Sequence, residues 1–366
     1  MRPAEFFLIN SAVKQTFSEQ LSRCECCPRQ CGINRRVGQT GFCKVGGDIL
    51  LSHAGLHFGE EPPISGTRGS GTIFFAGCNL RCVFCQNWQI SQEFNPPRPS
   101  LRSGHPAQGG EFLESPSLEG CPQGGVGCKI LTAIELAGEM LRLQSEGAHN
   151  INFVSPSHMI YQMGDAIQTA RQKGLTVPVV YNSNGYDSVA ALRQIRGLVD
   201  IYLPDIKYMD NTLGRNFSAA DDYADVIPGV LREMVDQVGL LELDDDGVAK
   251  RGLLVRHLVL PGRLENSKAC LKFLAELSPE SSVSIMSQYS PQYKACGIPE
   301  LNRPLTAEEY DEITDYALEL GLENAFIQTF DLSETKEAAL LRGSDRRERQ
   351  SQDHYLPDFD KFAPFE

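Results

Sequence analysis

The sequence predicts an α/β fold: a partial (β/α)6 TIM-like barrel with a small N-terminal cysteine-rich module in front of it. Six short apolar runs, dense in β-branched residues, alternate with segments of helical period, which implies a parallel sheet covered by helices. The repeat runs from residue 72 to 328, broken by a Pro/Gly-rich stretch. It suits six units better than the eight of a full barrel, which takes about 250 residues. Eight of the twelve cysteines lie in two tight groups, at 24–43 and 78–85, ahead of and within the first unit.

Residues 1–52 make up the expected N-terminal module, which has no apolar periodicity of its own. Cys24, Cys27, Cys31 and Cys43 stand at C-x2-C-x3-C-x11-C spacing among Gly and Pro turns, with Cys26 left over. Four thiolates so arranged suit a closed tetrahedral site, holding either zinc or a second iron–sulfur cluster. Such a site serves either as an electron relay or as a structural knot. The barrel core is expected over 53–330. Its first stretch, 53–70, reads as a turn-rich approach in which His53 and His57 are available as ligands or proton donors.

The first strand, Thr72–Ala76, is short, apolar and ended by Gly77. It delivers a loop with Cys78, Cys82 and Cys85 at C-x3-C-x2-C spacing. Three thiolates in eight residues reach three corners of one cluster, whereas iron–sulfur clusters are ordinarily held by four. The incomplete shell leaves one iron open, as in catalytic rather than structural metal sites. A zinc knuckle would show paired C-x2-C motifs or nearby histidines, and the next histidine downstream is His105.

Residues 95–129 change character: thirteen of these 35 positions are Pro or Gly, without any period, which predicts an insertion or lid. Cys121 and Cys128 lie in it. Ile130, Ile134, Ala137 and Leu141 then give one helical face. The strand Asn150–Val154 runs into Ser155-Pro156-Ser157-His158, and a helix follows with Ile160, Met163, Ile167 and Ala170 on one side. Strands over Val177–Asn182 and Val199–Lys207, a helical region at 220–241, and strands over Leu253–Leu260 and Ser282–Tyr289 complete the six. Thr306-Ala307-Glu308-Glu309 has the form of a capping box, opening a helix whose face is Tyr310, Ile313, Ala317 and Leu320. Residues 331–366 read as a charged tail whose Phe359, Phe362 and Phe365 are free to dock on the barrel.

Working residues of parallel α/β proteins gather at the carboxyl ends of strands. There the sequence places Ser155 and His158, Asn182 and Ser183, Asp205 and Lys207, and Arg256 and His257. Turn chemistry accounts for the Asn and Ser residues. It does not account for Asp205 and Lys207, two charges at i, i+2 that share one face of an apolar strand and must find partners. A zwitterionic ligand with a carboxylate and a sulfonium would give both a purpose.

Composition narrows the partners. The chain is 41% hydrophobic and 22% charged, as in soluble globular proteins. Its 34 Lys and Arg against 47 Asp and Glu, a net charge of −13, disfavour nucleic acid and anionic membranes. No apolar stretch nears the roughly 20 residues of a membrane helix, and an early acid argues against a signal peptide. A cytoplasmic location is expected, where twelve cysteines point to metal rather than disulfides.

The C-x3-C-x2-C loop, with Phe84 just before the third cysteine, resembles the signature of radical S-adenosylmethionine (SAM) enzymes. Gly77 to Asn87, Asp205-Ile206-Lys207 and Arg256 to Gly262 are similar to the pyruvate formate-lyase-activating-enzyme branch. The leading cysteine module and Asn152 to His158 are similar to an uncharacterised subgroup of it, which includes the AmmeMemoRadiSam-system proteins. The likeness spans roughly residues 20–330 outside the insertion.

The resemblance implies a barrel of the radical SAM type and a [4Fe–4S] cluster ligated by Cys78, Cys82 and Cys85. Its fourth iron would chelate the amino and carboxylate groups of SAM, and reductive cleavage would give a 5′-deoxyadenosyl radical that abstracts hydrogen. It further implies SAM contacts at Phe84, Ser155, Asn182, Ser183 and Asp205, with Lys207 nearby and Arg256 facing the substrate. A flavodoxin- or ferredoxin-type electron donor is implied, with either a glycyl-radical-enzyme-like protein or a small molecule as substrate. Two departures stand out: Ser155-Pro156-Ser157-His158 replaces the usual Gly-Gly-Glu turn, and Gln288-Tyr289 stands where the branch places a histidine. The competing reading is a non-catalytic iron–sulfur electron carrier or metal-bound adaptor.

Overall fold

A computed structural model describes residues 17–94 and 127–328. The expected insertion up to residue 126, with Cys121, and the charged tail lie outside them. In chain order the strands are β1 (Ile49–His57), β2 (Ser70–Phe75), β3 (Lys129–Leu131), β4 (Ile151–Val154), β5 (Val179–Asn182), β6 (Ile201–Tyr202), β7 (Glu242–Leu243), β8 (Ala249–Leu258), β9 (Ser282–Met286) and β10 (Ala325–Ile327). The helices are α1 (Pro62–Ser65), α2 (Trp88–Ser91), α3 (Ala133–Ser145), α4 (Ile160–Gln172), α5 (Val189–Gln194), α6 (Asn211–Ser218), α7 (Tyr223–Val238), α8 (Leu264–Leu277) and α9 (Ala307–Glu319).

The sheet runs β10-β9-β8-β6-β5-β4-β2-β1-β3, and β7 pairs with β8. Neighbours from β10 to β2 are parallel, while β1 is antiparallel to both β2 and β3. Its ends do not meet, so the wall is an open, partial barrel. The six expected strands are all there, and β10 adds a seventh parallel one. Strands β2, β5 and β9 are buried at every position, as helix-covered parallel strands are, so they show no in–out alternation.

Alternate residues nevertheless divide the interior into two layers. Ile73, Phe75, Phe153, Tyr181, Tyr202 and Val255 belong to the large core that takes in the helices. Val180, Ile201, Leu203, Ala249 and Leu254 form a smaller cluster with Ile64 of α1 inside the barrel. The β1 register, Leu51 opposite Phe75 and His57 opposite Ser70, returns the chain to the N-terminal end of β2. Residues 58–65 thus close the barrel floor, with Asn150 Nδ2 donating to the Ile64 carbonyl at 2.7 Å.

Several expectations need correction. Residues 53–57 are strand rather than turn, because β1 completes the sheet edge and crosses the boundary drawn at residue 52. Lys129 and Ile130 pair with β1 in β3 instead of belonging to an insertion or a helix. The buried face of α3 is Leu136, Ala137, Met140 and Leu143, while Ile134 is 63% exposed. The fourth parallel strand stops at Tyr202, before Pro204, and Asp205 continues it only as an isolated bridge to Arg256.

Helix α4 buries all four of its expected positions, and the Thr306–Glu309 capping box opens α9 as expected. No helix among the described residues is long and apolar enough to cross a membrane.

Candidate active site

Strand β2 ends at Gly77, whose φ of +83° and crowding make a side chain untenable there: a Cβ would lie 2.6 Å from the Cys43 carbonyl oxygen. The chain turns at this point into the loop of Cys78, Cys82 and Cys85. Each sulfur has a hydrogen-bonding neighbour. The Leu80 amide and Asn184 Nδ2 both lie 3.4 Å from Cys78 Sγ. Ser218 Oγ lies 3.1 Å from Cys82 Sγ, and Ser91 Oγ lies 3.3 Å from Cys85 Sγ. Burial, then the neighbouring Cys82, push the Cys78 thiol up to about 12 and that of Cys85 to about 11. These two stay protonated at neutral pH until a metal displaces the proton.

Among the described residues no three His, Cys, Asp or Glu side chains converge tightly enough to hold a single metal ion. That applies to the expected tetrahedral set of Cys24, Cys27, Cys31 and Cys43 as well. Cys26, set aside in the spacing, packs with Cys24 at 3.5 Å between sulfurs. Phe84 is buried and meets Tyr289 edge-on at 6.1 Å between ring centroids.

Beside the loop, the barrel interior holds a five-member charge network. Asp205 accepts from Lys207 Nζ at 2.6 Å and from Arg256 Nε at 2.9 Å. Arg256 also donates to Asn182 Oδ1 at 2.6 Å and Glu60 Oε2 at 3.3 Å, and Glu61 Oε2 is 4.0 Å away. Asn152 Nδ2 supports Glu60 from below at 3.0 Å. Burial pushes the Asp205 carboxyl up, but Arg256 and Lys207 more than offset it and hold it below its ordinary value. Glu60 and Glu61 are raised, because burial outweighs the attraction of Arg256. Lys207 lowers the Cys85 thiol against its burial, so the network and the cysteine loop lie within electrostatic reach of one another.

The structure therefore brings together Cys78, Cys82, Cys85, Asn182, Asp205, Lys207 and Arg256. Ser183 turns elsewhere: its Oγ donates to Asp187 at 2.6 Å within the turn after β5. Ser155 is left-handed at φ 51°, and its amide donates to the Asn182 carbonyl at 2.7 Å. His158, in the same turn, is buried with Nε2 2.9 Å from the Ala76 carbonyl oxygen, and burial lowers it to about 4. His257, next to Arg256, faces the opposite side of β8 and meets Ser267 at 2.9 Å. His53 and His57 lie on β1, where burial lowers both.

Sequence reasoning missed Glu60, Glu61, Asn152, Ser91 and Ser218, and accounted for Asn184, at the end of the third strand, by turn chemistry alone. Only the adjacent acids before Pro62-Pro63 left a signal, a doubled charge entering a helix start next to an apolar strand.

Comparison with known proteins gives a consistent picture. A family model described as the radical SAM superfamily matches residues 72–235. Uncharacterized protein MJ0674 of Methanocaldococcus jannaschii is 30% identical over 302 residues, covering 82% of this chain and 75% of its own. Uncharacterized protein MJ0808 of the same organism is 24% identical over 346 residues, covering 89% and 85%. A solved domain of pyruvate-formate lyase-activating enzyme from Bacteroides vulgatus aligns with 49% of this chain and 98% of its own, at 15% identity and a TM-score of 0.37. Methylornithine synthase (PylB) aligns with 70% and 63%, at 15% identity and 0.43. Neither score carries an argument about function.

Proposed function

The chain belongs to the radical SAM superfamily, and from that premise we propose that it cleaves SAM reductively and abstracts hydrogen from a substrate admitted at the C-terminal face of the barrel. The family's cofactors are a [4Fe–4S] cluster and SAM. The donor set fits them: three thiols on one short loop, each with a hydrogen-bonding neighbour, and no fourth cysteine in the loop. When bound, the cluster supplies the electron that breaks the SAM sulfonium and so yields the hydrogen-abstracting 5′-deoxyadenosyl radical.

The observation that carries the reading is the ion network within electrostatic reach of the cysteine loop. With its three acids ionised, Glu60, Glu61, Asp205, Lys207 and Arg256 sum to −1. SAM, with an ammonium, a carboxylate and a sulfonium, carries +1, so the two are complementary. Cys78, Cys82 and Cys85 hold the cluster. Phe84 and Asn182 line the SAM site together with the Ser155 backbone, and Ser183 acts through the turn that Asp187 fixes. Asp205 and Lys207 orient the methionine end, and Arg256 faces the substrate while keeping Glu60 and Glu61 ionisable.

Because residues 58–65 fill the floor, a protein loop or a small molecule enters from the cysteine side. Activation of a glycyl-radical-type protein, with a flavodoxin- or ferredoxin-type donor, is the first substrate class to test. Anaerobically reconstituted protein is mixed with SAM and a strong reductant, alongside a variant with all three loop cysteines changed to Ala. 5′-Deoxyadenosine from the native protein alone supports the proposal. A bound, reducible cluster that yields none overturns it in favour of an electron carrier or adaptor.

A further inference from the structure

Charge is unevenly spread over this chain. Its net charge is −13, yet four cations gather at the loop of Cys78, Cys82 and Cys85. Arg29 Nε donates to the Asn79 carbonyl at 2.9 Å. Arg81 donates to the carbonyls of Cys78 and Leu80, both at 2.8 Å, and to that of Phe42. The two guanidinium carbons lie 3.8 and 4.3 Å from the centroid of one ring, that of Phe42. Lys44 Nζ donates to the Gln92 carbonyl at 3.1 Å, and Gln92 Nε2 in turn to the Cys82 carbonyl at 2.9 Å. Lys294 Nζ lies 5.0 Å from the ring centroid of Tyr293, and the next amide, of Ala295, donates to the Val83 carbonyl at 2.8 Å.

All of these contacts are to carbonyls or aromatic rings. Among the described residues none of the four cations forms an ion pair. On the other flank of the loop, where Arg81 and Val83 donate their amides to α6, the ions are paired: Arg215 with Asp221 and Arg263 with Glu300. The acids that adjoin the four are Glu93, next to Gln92, and Asp222, which accepts from Tyr186 Oη beside Arg29. Positive charge is therefore in surplus. The arginines hold the loop's own carbonyls and lie close to where an anionic cluster would offset them. Lys44 and Lys294 are exposed and have no such use. The loop itself is partly open, for Cys82 and Cys85 are half-buried, as are Trp88 and Tyr293, which stack at 5.4 Å.

We propose that Arg29, Lys44, Arg81 and Lys294 form the docking surface for an acidic electron-carrier protein, which hands one electron to the cluster held by the loop. The inference rests on the preceding reading for what the loop binds. The carrier's reduced flavin or iron–sulfur centre loses one electron and the cluster gains it, with no bond formed or broken. An acidic carrier is repelled by most of a surface at −13, so a local positive face both attracts it and fixes where it lands.

The test uses the full chain with its cluster reconstituted and no SAM added. Stopped-flow absorbance follows cluster reduction by a reduced ferredoxin and, separately, a reduced flavodoxin. Lys44→Glu with Lys294→Glu reverses two exposed charges and is checked for unchanged iron content. Reduction by at least one carrier should slow by about tenfold or more at low salt. The difference should close as ionic strength rises from about 20 mM to about 500 mM. Reduced methyl viologen, a small cation, should reduce the variant at least as fast as the native protein. Equal carrier rates for native protein and variant at low salt overturn the proposal, and would leave the face to an acidic protein substrate. If the variant loses its cluster, the native protein decides: carrier reduction that does not slow with salt overturns the proposal. Normal, salt-sensitive reduction without 5′-deoxyadenosine once SAM is added would sink the radical reading and leave this surface standing.

Discussion

Changing Arg256 to Met isolates what the interior network contributes. Arg256 is the one cation within 4.0 Å of Glu60 and Glu61 among the described residues, and one of two on Asp205. Its side chain is 16% exposed and theirs are 9%, 8% and 16%, so water replaces little of what it supplies. Breaking a buried charge set by deleting one partner costs about 3–5 kcal/mol. At the low end of the scaling for large domains, that is a fall of about 6–10 °C in Tm.

The pH dependence has a definite sign. The folded-state values of Glu60 and Glu61 are already raised by burial, and removing Arg256 raises them further. An acid with a raised folded value destabilises the fold progressively as pH climbs from its unfolded value through the folded one. Asp205 is depressed, so its stabilisation is present above the unfolded value and lost as pH falls through the folded one. Weakening it also hurts most at higher pH. Arg256→Met should therefore be damaging at pH 8 and much milder at pH 5, measured by thermal unfolding of anaerobic protein. Adding Glu60→Gln and Glu61→Gln should recover most of the loss at pH 8. A penalty under about 1 kcal/mol, or one equal at both pH values, refutes the reasoning.

Gly185 and Gly197 have nearly the same φ, +78° and +81°, but a Cβ at Gly185 would meet Tyr223 Oη at 2.6 Å and the Asp205 carbonyl, while Gly197 has open space. Gly197→Ala should cost about 1 kcal/mol for the left-handed backbone alone and Gly185→Ala at least twice that, by thermal unfolding. Asn184→Leu removes a donor to Cys78 Sγ, and a hydrogen bond worth about 1 kcal/mol corresponds to about 40 mV for one electron. The cluster potential, read by electron paramagnetic resonance titration, should move negative by that order. Glu309 is held down to about 2 by Arg303, with the Gly262 and Thr306 amides assisting. The Tm penalty of Glu309→Gln should be full above the ordinary 4.5 and fade as pH falls towards 2.

The parts legible in the sequence are those whose physics is local. Fully buried parallel strands are apolar runs wherever they fall, so β2, β4, β5, β6, β8 and β9 stood out. The spacing of Cys78, Cys82 and Cys85 carries its own chemistry, and Asp205 with Lys207 declared themselves as charges that turn preference could not explain. Glu60 was not legible because its partner Arg256 is 196 residues away, across a floor formed by β1 doubling back. Asn184 hid behind a true but partial account: its Oδ1 accepts from the Tyr186 amide, as turn asparagines do, while Nδ2 reaches Cys78. Helix α3 misled because two apolar stripes fit its period, and the one containing Ile130 and Ile134 began inside a strand.

The floor acids also bear on how the chain folds as it is made. Glu60 and Glu61 emerge 196 and 195 residues before Arg256, an interval of about 10–40 s at 5–20 residues per second. Until β8 docks, a compact early intermediate would enclose two acids without that cation. Such closure carries an electrostatic penalty at neutral pH. The floor thus disfavours premature collapse of the first four parallel strands, and completion of the barrel interior waits on its fifth.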